Sequence, residues 1–492
     1  MNKKILSPTI WLCFWVLALT TMSSACTNLI ITRGASRTGS VTICYTCDAG
    51  FASKLHWLPA GKHAPGGLVD YPSFKPRVPV KQVPNTYATL HSNGIGHMNE
   101  YQLAIGETTF GGRRGIGNKT GLSYGELMTL ALQRCKTARQ AIKCIADLAA
   151  EYGYRASGES LSIGDTREAW IMELIGNGPD KKGIVWVALR IPDGHVSCHA
   201  NQSRITEFPL HDPENCMYSQ DVISFAVDQG FYDPDSGKPF NYSDAYHPAS
   251  AGTKKSCAQR VWSMLRRAAP SLNLSPDYAR GVEDAPRYPL SVKPDKKLSM
   301  LDVYDLLRDH YEGTEFDMTK GPEAGKFGCP NHRRERAIST VNTAFSIITQ
   351  SRDSLPDHIG GICWYSPDDT YFSCYTPIYC GTTEIPEPYT VGNTREFSWD
   401  SAWWAINFVA NYANMRYSEM KVDIRKTQSE IEQNFYNRQP EIEKQALALY
   451  KSDPQNARPF LTKYTVDSGN DVIKNWRKLA ESLFVKYNDK RR

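Results

Sequence analysis

The sequence predicts an α+β protein in which antiparallel strands are layered with helices. Strand-like segments rich in β-branched residues come in pairs joined by short polar turns, the spacing of hairpins and not of parallel βαβ units. Blocks of helical periodicity stand between those pairs, so the order runs strand, helix, strand, helix. The composition is globular, 41% hydrophobic and 22% charged over 492 residues, and a chain this long buries a large core without needing disulfides.

The N-terminal segment stands apart from that layered body. Lys3 and Lys4 precede an apolar run from Ile10 to Met22, and Ser23-Ser24-Ala25 follows. Small residues at 23 and 25 fit the cleavage rule of an export signal, and the run is shorter than the ~20 residues that span a bilayer. Residues 1–25 are therefore expected to be a signal peptide cut between Ala25 and Cys26, sending the protein to the periplasm or outside the cell. A competing expectation makes Cys26 the lipidated residue of a surface-attached lipoprotein. Against it, Ser23 stands where that pattern carries Leu, Val or Ile.

Thr27–Thr32 and Val41–Thr46 read as a hairpin around the glycines at 34 and 39. Residues 57–86 are dense in Pro and Gly, with one extended segment near Arg77–Val83. Tyr87–His91 and Leu103–Glu107 read as strands on either side of Gly94-Ile95-Gly96. Two helices follow, because Ser123 with Glu126 and Thr137 with Gln140 have capping-box spacing ahead of apolar runs. Ser160–Ile163 pairs with Ala169–Leu174, and Ile184–Ile191 with His195–His199 across Pro192-Asp193-Gly194. Val222–Val227 reads as a further strand. Helix is expected at Ser256–Ala269 and Met300–His310, then a hairpin of Ile359–Tyr365 with Tyr371–Pro377. From Ser401 onward the pattern is mostly helical. The expected division is signal 1–25, main body 26–415, and a helical extension 416–492 packed on the body or against a second copy of the chain.

Lys and Arg number 57 against 52 Asp and Glu, a net +5 that falls to +3 if Lys3 and Lys4 leave with the signal. So small an excess, with no long basic run, argues against a nucleic-acid partner. There is no phosphate-binding or dinucleotide glycine pattern and no HExxH, so neither a metal nor a cofactor is expected. Cys44-x-x-Cys47 has no second CxxC and lies in a strand, which argues against a metal or redox site. Cys135 and Cys144 read as buried helix residues, while Cys374 and Cys380 are candidates to pair across a loop. Arg113 and Arg114, inside Gly111-Gly112-Arg113-Arg114-Gly115, read either as a flexible loop or as a pocket rim that binds a substrate carboxylate. Trp403 and Trp404 read as a core helix face.

The chemistry centres on Cys26. If it becomes the first residue, a free α-amine of pKa ~7.7–8 shares one residue with a thiol of pKa ~8.5. Nucleophile and general base then come from the same residue. Lipidation would acylate that amine and abolish the base. Asp48 ends the second strand of the hairpin, which returns it toward the start of the first, where a carboxylate orients the amine.

Cys26-Thr27-Asn28-Leu29, Gly34-Ala35-Ser36, Gly39-Ser40 and Asp48 resemble the mature start of a family of cysteine N-terminal nucleophile hydrolases. It is the dipeptidase family of lactobacillal dipeptidase A and the secernins. The resemblance continues through His97-Met98-Asn99-Glu100, Leu103 to Thr108, Gly158-Glu159-Ser160, His199-Ala200-Asn201-Gln202, Arg260-Val261-Trp262, Leu355-Pro356-Asp357 and Ser401-Ala402-Trp403-Trp404. It implies two antiparallel sheets face to face with helices outside. It also implies roles: Cys26 as nucleophile with its own amine as base, Asp48 to fix the amine, Asn201 and Asn99 as oxyanion donors, and Arg260 as a charge that favours the thiolate. Tyr45 stands where related amidases carry Arg, so it is expected to donate a neutral hydrogen bond near the substrate or to point into the core.

The resulting expectation is an exported cysteine dipeptidase acting through a thioester, its substrates narrowed by the resemblance to dipeptides or short peptides with a free amino terminus, with homo-oligomer formation left open. The alternatives are an acylase of non-peptide amides, like the bile-salt and penicillin V amidases, and a lipid-anchored, non-catalytic binding protein.

Overall fold

A computed structural model describes residues 26–332 and 335–488, so the expected signal segment lies outside the described residues. The chain opens with β1 (Thr27–Ile31) and β2 (Thr42–Asp48), then β3 (Leu55–Leu58), the small pair β4 (Gly61–Lys62) and β5 (Asn85–Thr86), and β6 (Thr89–Ser92), β7 (Ile95–Asn99) and β8 (Ala104–Thr109). Helices α1 (Tyr124–Arg134) and α2 (Ala138–Tyr152) precede β9 (Gly158–Gly164), β10 (Ala169–Gly176), β11 (Ile184–Arg190), β12 (Val196–His199) and β13 (Cys216–Tyr218). A helical stretch follows: α3 (Ser224–Asp228), α4 (Tyr242–Tyr246), α5 (Ala251–Thr253), α6 (Gln259–Ala268) and α7 (Asp277–Arg280). Then come β14 (Ser291–Val292), α8 (Met300–Leu307), β15 (Thr343–Gln350), α9 (Asp357–Gly360), β16 (Ile362–Pro367) and β17 (Thr376–Tyr379). The chain closes with α10 (Ala402–Ala413), α11 (Tyr417–Ser452) and α12 (Ala457–Asn488).

The named strands form two large antiparallel sheets. One runs β14-β12-β1-β2-β15-β16-β17 and the other β13-β11-β10-β9-β8-β7-β6-β3. They meet where β1 and β2 face β8 and β9. Gly106 in β8 lets them close: a Cβ there would stand 3.1 Å from Tyr45 Cβ and nearer still to Asn28 Oδ1. Buried His199 stitches the layers, with Nδ1 2.7 Å from Thr108 Oγ1 and Nε2 2.7 Å from Ser162 Oγ. Burial lowers its pKa to about 3, so it is a neutral bridge. Helices α1 and α2 pack on the second sheet; α6, α10 and α12 pack on the first. This is the α+β layering read from the sequence.

The capping signals hold physically. Ser123 and Glu126 form a reciprocal box that starts α1, and Thr137 accepts from Gln140 N at the start of α2. The C-terminal helices pack on the body through a buried bidentate pair, Arg308 Nη1 to Glu432 Oε2 at 2.8 Å and Nη2 to Oε1 at 2.6 Å. Three expectations need correction. Val222–Val227 is not a strand: β13 already ends its sheet at Tyr218, and Phe225 N bonds Asp221 O to start the helical turn α3. Between the expected strands Tyr87–His91 and Leu103–Glu107 the structure adds a third, β7, which starts at Ile95. Cys374 and Cys380 do not pair; all the described cysteines are free.

Candidate active site

The hairpin register sets the site. Thr27 pairs with Thr46, so the end of β2 returns beside the start of β1. One further step puts Cys47 across from Cys26, and Cys47 is the largest influence on the Cys26 thiol. Asn28 Nδ2 donates to Glu107 O at 2.6 Å, fixing β8 against β1 at the same level. The Cys26 thiol, 1% exposed, then donates to Glu107 Oε1 at 3.4 Å and stands 3.7 Å from the Tyr45 hydroxyl. Tyr45 donates a short hydrogen bond to the same Glu107 oxygen.

The resting group is a thiol, not a thiolate. The Cys47 contact, burial and the Glu107 carboxyl all push its pKa well above the ordinary value. Tyr45 is raised by burial and by Cys26, which keeps its phenol neutral. It therefore both points into the core, edge-on to Phe345 at 5.4 Å, and donates the neutral hydrogen bond expected of it.

Asp48 is buried with an ion pair to Arg336 and a hydrogen bond from Thr343 Oγ1 at 2.9 Å. Burial raises its pKa to about 6, against the opposing pull of Arg336, Thr343 and Arg260. Arg260, 1% exposed on α6, grips the start of the chain's first strand. Nη1 donates to Cys26 O at 2.7 Å and Thr27 Oγ1 at 2.9 Å; Nη2 donates to Ala200 O at 3.3 Å and Asn201 Oδ1 at 3.0 Å. Its guanidinium thus binds carbonyl and hydroxyl oxygens rather than the sulfur. Asn201 has a left-handed backbone, φ 56°, and its amide donates to Thr109 O at 2.7 Å.

Cys26, Asp48, Tyr45, Asn201 and Arg260 are therefore brought together; Asn99 and Arg113 are committed elsewhere. Both Asn99 amide hydrogens go to Leu132 O at 2.7 Å and Cys135 O at 2.8 Å, and its oxygen accepts from Tyr101 N and Leu103 N. Asn99 closes the C-terminal end of α1 and has no donor left for an oxyanion. Arg113 is committed to the main chain of Asp244 and Ala245 in α4 and stacks on Phe231 at 4.9 Å, so it is not a free carboxylate clamp. Arg114 is exposed.

Two residues escaped the sequence reading. Glu107 carries a local signal, a carboxylate two residues beyond the apolar run Leu103-Ala104-Ile105 in the same expected strand. Arg336 carried no local signal, because its partner Asp48 is 288 positions away.

Comparisons with known proteins agree on a class. The family model described as peptidase family C69 matches residues 63–430. A probable dipeptidase of Salmonella dublin is 27% identical over 73% of this chain and 81% of its own length. A probable dipeptidase of Latilactobacillus sakei is 26% identical over 83% and 85%. Probable dipeptidase B of Streptococcus pyogenes serotype M1 is 22% identical over 98% and 97%. With that match over most of its length, the chain belongs to peptidase family C69.

Proposed function

We propose that the protein is an exported cysteine dipeptidase that uses Cys26 as an N-terminal nucleophile. The observation that carries this reading is the convergence on Cys26 itself. Its carbonyl is held by Arg260 and its thiol is enclosed by Tyr45, Glu107 and Cys47 at the point where the sequence predicts export cleavage. The names of the relatives support the substrate class, and the facing antiparallel sheets support an N-terminal nucleophile architecture.

In this mechanism the free α-amine of Cys26 takes the thiol proton as Sγ attacks the peptide carbonyl. Since the resting group is the thiol, proton transfer accompanies attack. The second N–H of the Asn201 amide donates to the oxyanion, a type of contact typically worth ~10²–10³ in rate. The amine returns the proton to the departing amino group, leaving a thioester on Cys26. Water then adds, with the same amine accepting its proton, and releases the acid and the thiol. Asp48 fixes the α-ammonium between steps.

The test compares release of amino acids from a dipeptide panel with cleavage of acyl-amides by the secreted protein and its Cys26→Ala variant. Dipeptide turnover lost in a normally folded Cys26→Ala supports the reading. Full activity in that variant, or cleavage of acyl-amides alone, overturns it.

A further inference from the structure

Glu107 and Glu159 form an unusual pair. Glu107 in β8 faces Leu161, and Glu159 in β9 pairs with Thr109, so the two side chains share one face two positions apart. They are 0% and 1% exposed. Glu159 Oε1 accepts from Thr109 Oγ1 at 3.0 Å, and Glu107 Oε1 accepts from Cys26 and Tyr45. Neither Oε2 has a close donor among the described residues, and the buried Tyr154 hydroxyl is the one further hydrogen-bonding influence on Glu159 from outside the pair besides Thr109. Burial raises both pKa values; Glu107 raises Glu159 further while the hydrogen bond with Glu159 lowers Glu107, so a proton shared by the pair sits chiefly on Glu159.

Several other buried acids of this chain are compensated, although Asp368, which accepts from Asn407, also faces no cation. Glu432 has Arg308, Glu443 has Arg352 and Asp48 has Arg336, while Glu173 accepts from Ser203 and two main-chain N–H groups. The groups acting most strongly on Glu107 and Glu159 are hydroxyl, thiol and carboxyl, and none is a cation. A buried carboxylate without a cation is costly, and with the Cys26 amine assigned to Asp48 its retention beside the nucleophile suits a cation that arrives with the substrate.

We propose that Glu107, backed by Glu159, is the recognition site for the α-ammonium group of the substrate. This rests on the dipeptidase reading, in which the family resemblance already implies an unblocked amino terminus, and assigns the residues that recognise it. A carbonyl carbon poised for attack lies ~3–3.5 Å from the nucleophile. In a dipeptide the α-nitrogen is two bonds from that carbon. Glu107 Oε1, 3.4 Å from Cys26 Sγ, is within hydrogen-bonding reach of such a nitrogen. The ammonium offers three donors to acceptors that have none to spare. It also cancels the negative charge that opposes thiolate formation, so a substrate with a free amine promotes its own attack.

The experiment compares L-alanyl-L-alanine with N-propionyl-L-alanine, the same skeleton lacking only the ammonium, and with N-acetyl-L-alanyl-L-alanine. A site built to hydrogen-bond an N–H rejects the analogue lacking it by up to ~10⁴–10⁵. The wild type is expected to favour the free dipeptide by at least about 10²-fold in kcat/KM, with part of the loss in kcat. Glu107→Gln is expected to erase most of that preference by slowing the free dipeptide, leaving the analogues within a few-fold; Glu159→Gln should do so more weakly. Equal wild-type turnover of alanyl-alanine and its propionyl analogue overturns the proposal while leaving the dipeptidase reading intact, and needs no variant to fold. A Glu107→Gln enzyme that slows all three substrates equally also overturns it. Failure of the wild type to cleave any dipeptide removes both.

Discussion

Replacing Arg260 by lysine keeps the charge and removes the fork. The arginine makes five hydrogen bonds, to Ser256 O, Cys26 O, Thr27 Oγ1, Ala200 O and Asn201 Oδ1. One branch holds the nucleophile's own carbonyl and the other holds the proposed oxyanion donor, so a single rigid plane sets their separation. A lysine ammonium can occupy one branch but cannot span both. Losing the two bonds of one branch, at a net ~0.5–1.5 kcal/mol each, removes about 1–3 kcal/mol of positioning. At ~1.4 kcal/mol per tenfold, that lowers kcat/KM for a dipeptide by roughly 5- to 10²-fold. The assay is steady-state dipeptide hydrolysis with thermal unfolding measured in parallel. The loss should fall on kcat more than on KM, because Arg260 contacts the machinery and not the substrate. A folded lysine variant within twofold of wild type would refute the idea that Arg260 couples Cys26 to Asn201.

The remaining predictions use the same contacts. Asp48 titrates near 6 and is needed ionised, so kcat/KM should fall as the pH drops through that value. Thr343→Ala removes a donor that favours the carboxylate and should move this acid limb to higher pH. A limb that stays put separates Asp48 from catalysis. The folded pKa of Asp48 lies above its ordinary value of 3.8, so its contribution to stability is greatest below that value and declines as pH rises through about 6. Asp48→Asn should flatten that part of the stability profile measured by urea unfolding. Asn99→Ala should cost ~1–3 kcal/mol in urea unfolding through its lost main-chain bonds, yet leave kcat/KM within a few-fold; a selective loss of turnover would return Asn99 to the oxyanion site. Glu432→Gln strands the buried Arg308 charge and should destabilise by ~3–5 kcal/mol, measured by denaturant midpoint.

Local rules explain which parts of the site were legible in the sequence. The β1–β2 hairpin follows from β-branched runs around a glycine turn, and it alone brings Asp48 back toward Cys26. Serine and glutamate three apart were enough to start α1. Long-range pairings were not legible. Arg336 reaches Asp48 across 288 positions, and no periodicity records such a contact. Asn99 and Arg113 carry side chains suited to catalysis or binding, but tertiary packing spends their donors on main-chain carbonyls. Val222–Val227 has strand composition but lies beyond the edge strand β13, so no partner strand claimed it. Glu107 shows the reverse: an acid in an apolar strand reads as a misfit until the fold places a thiol against it.

Intact-mass analysis with N-terminal sequencing of the active, naturally processed protein is the most direct test of the central claim. A chain that starts at Cys26 with an unmodified amine, and gains the mass of an acyl group there when quenched during turnover, is the predicted result. Full activity from a chain that starts elsewhere, or from one whose Cys26 amine is acylated, would contradict it.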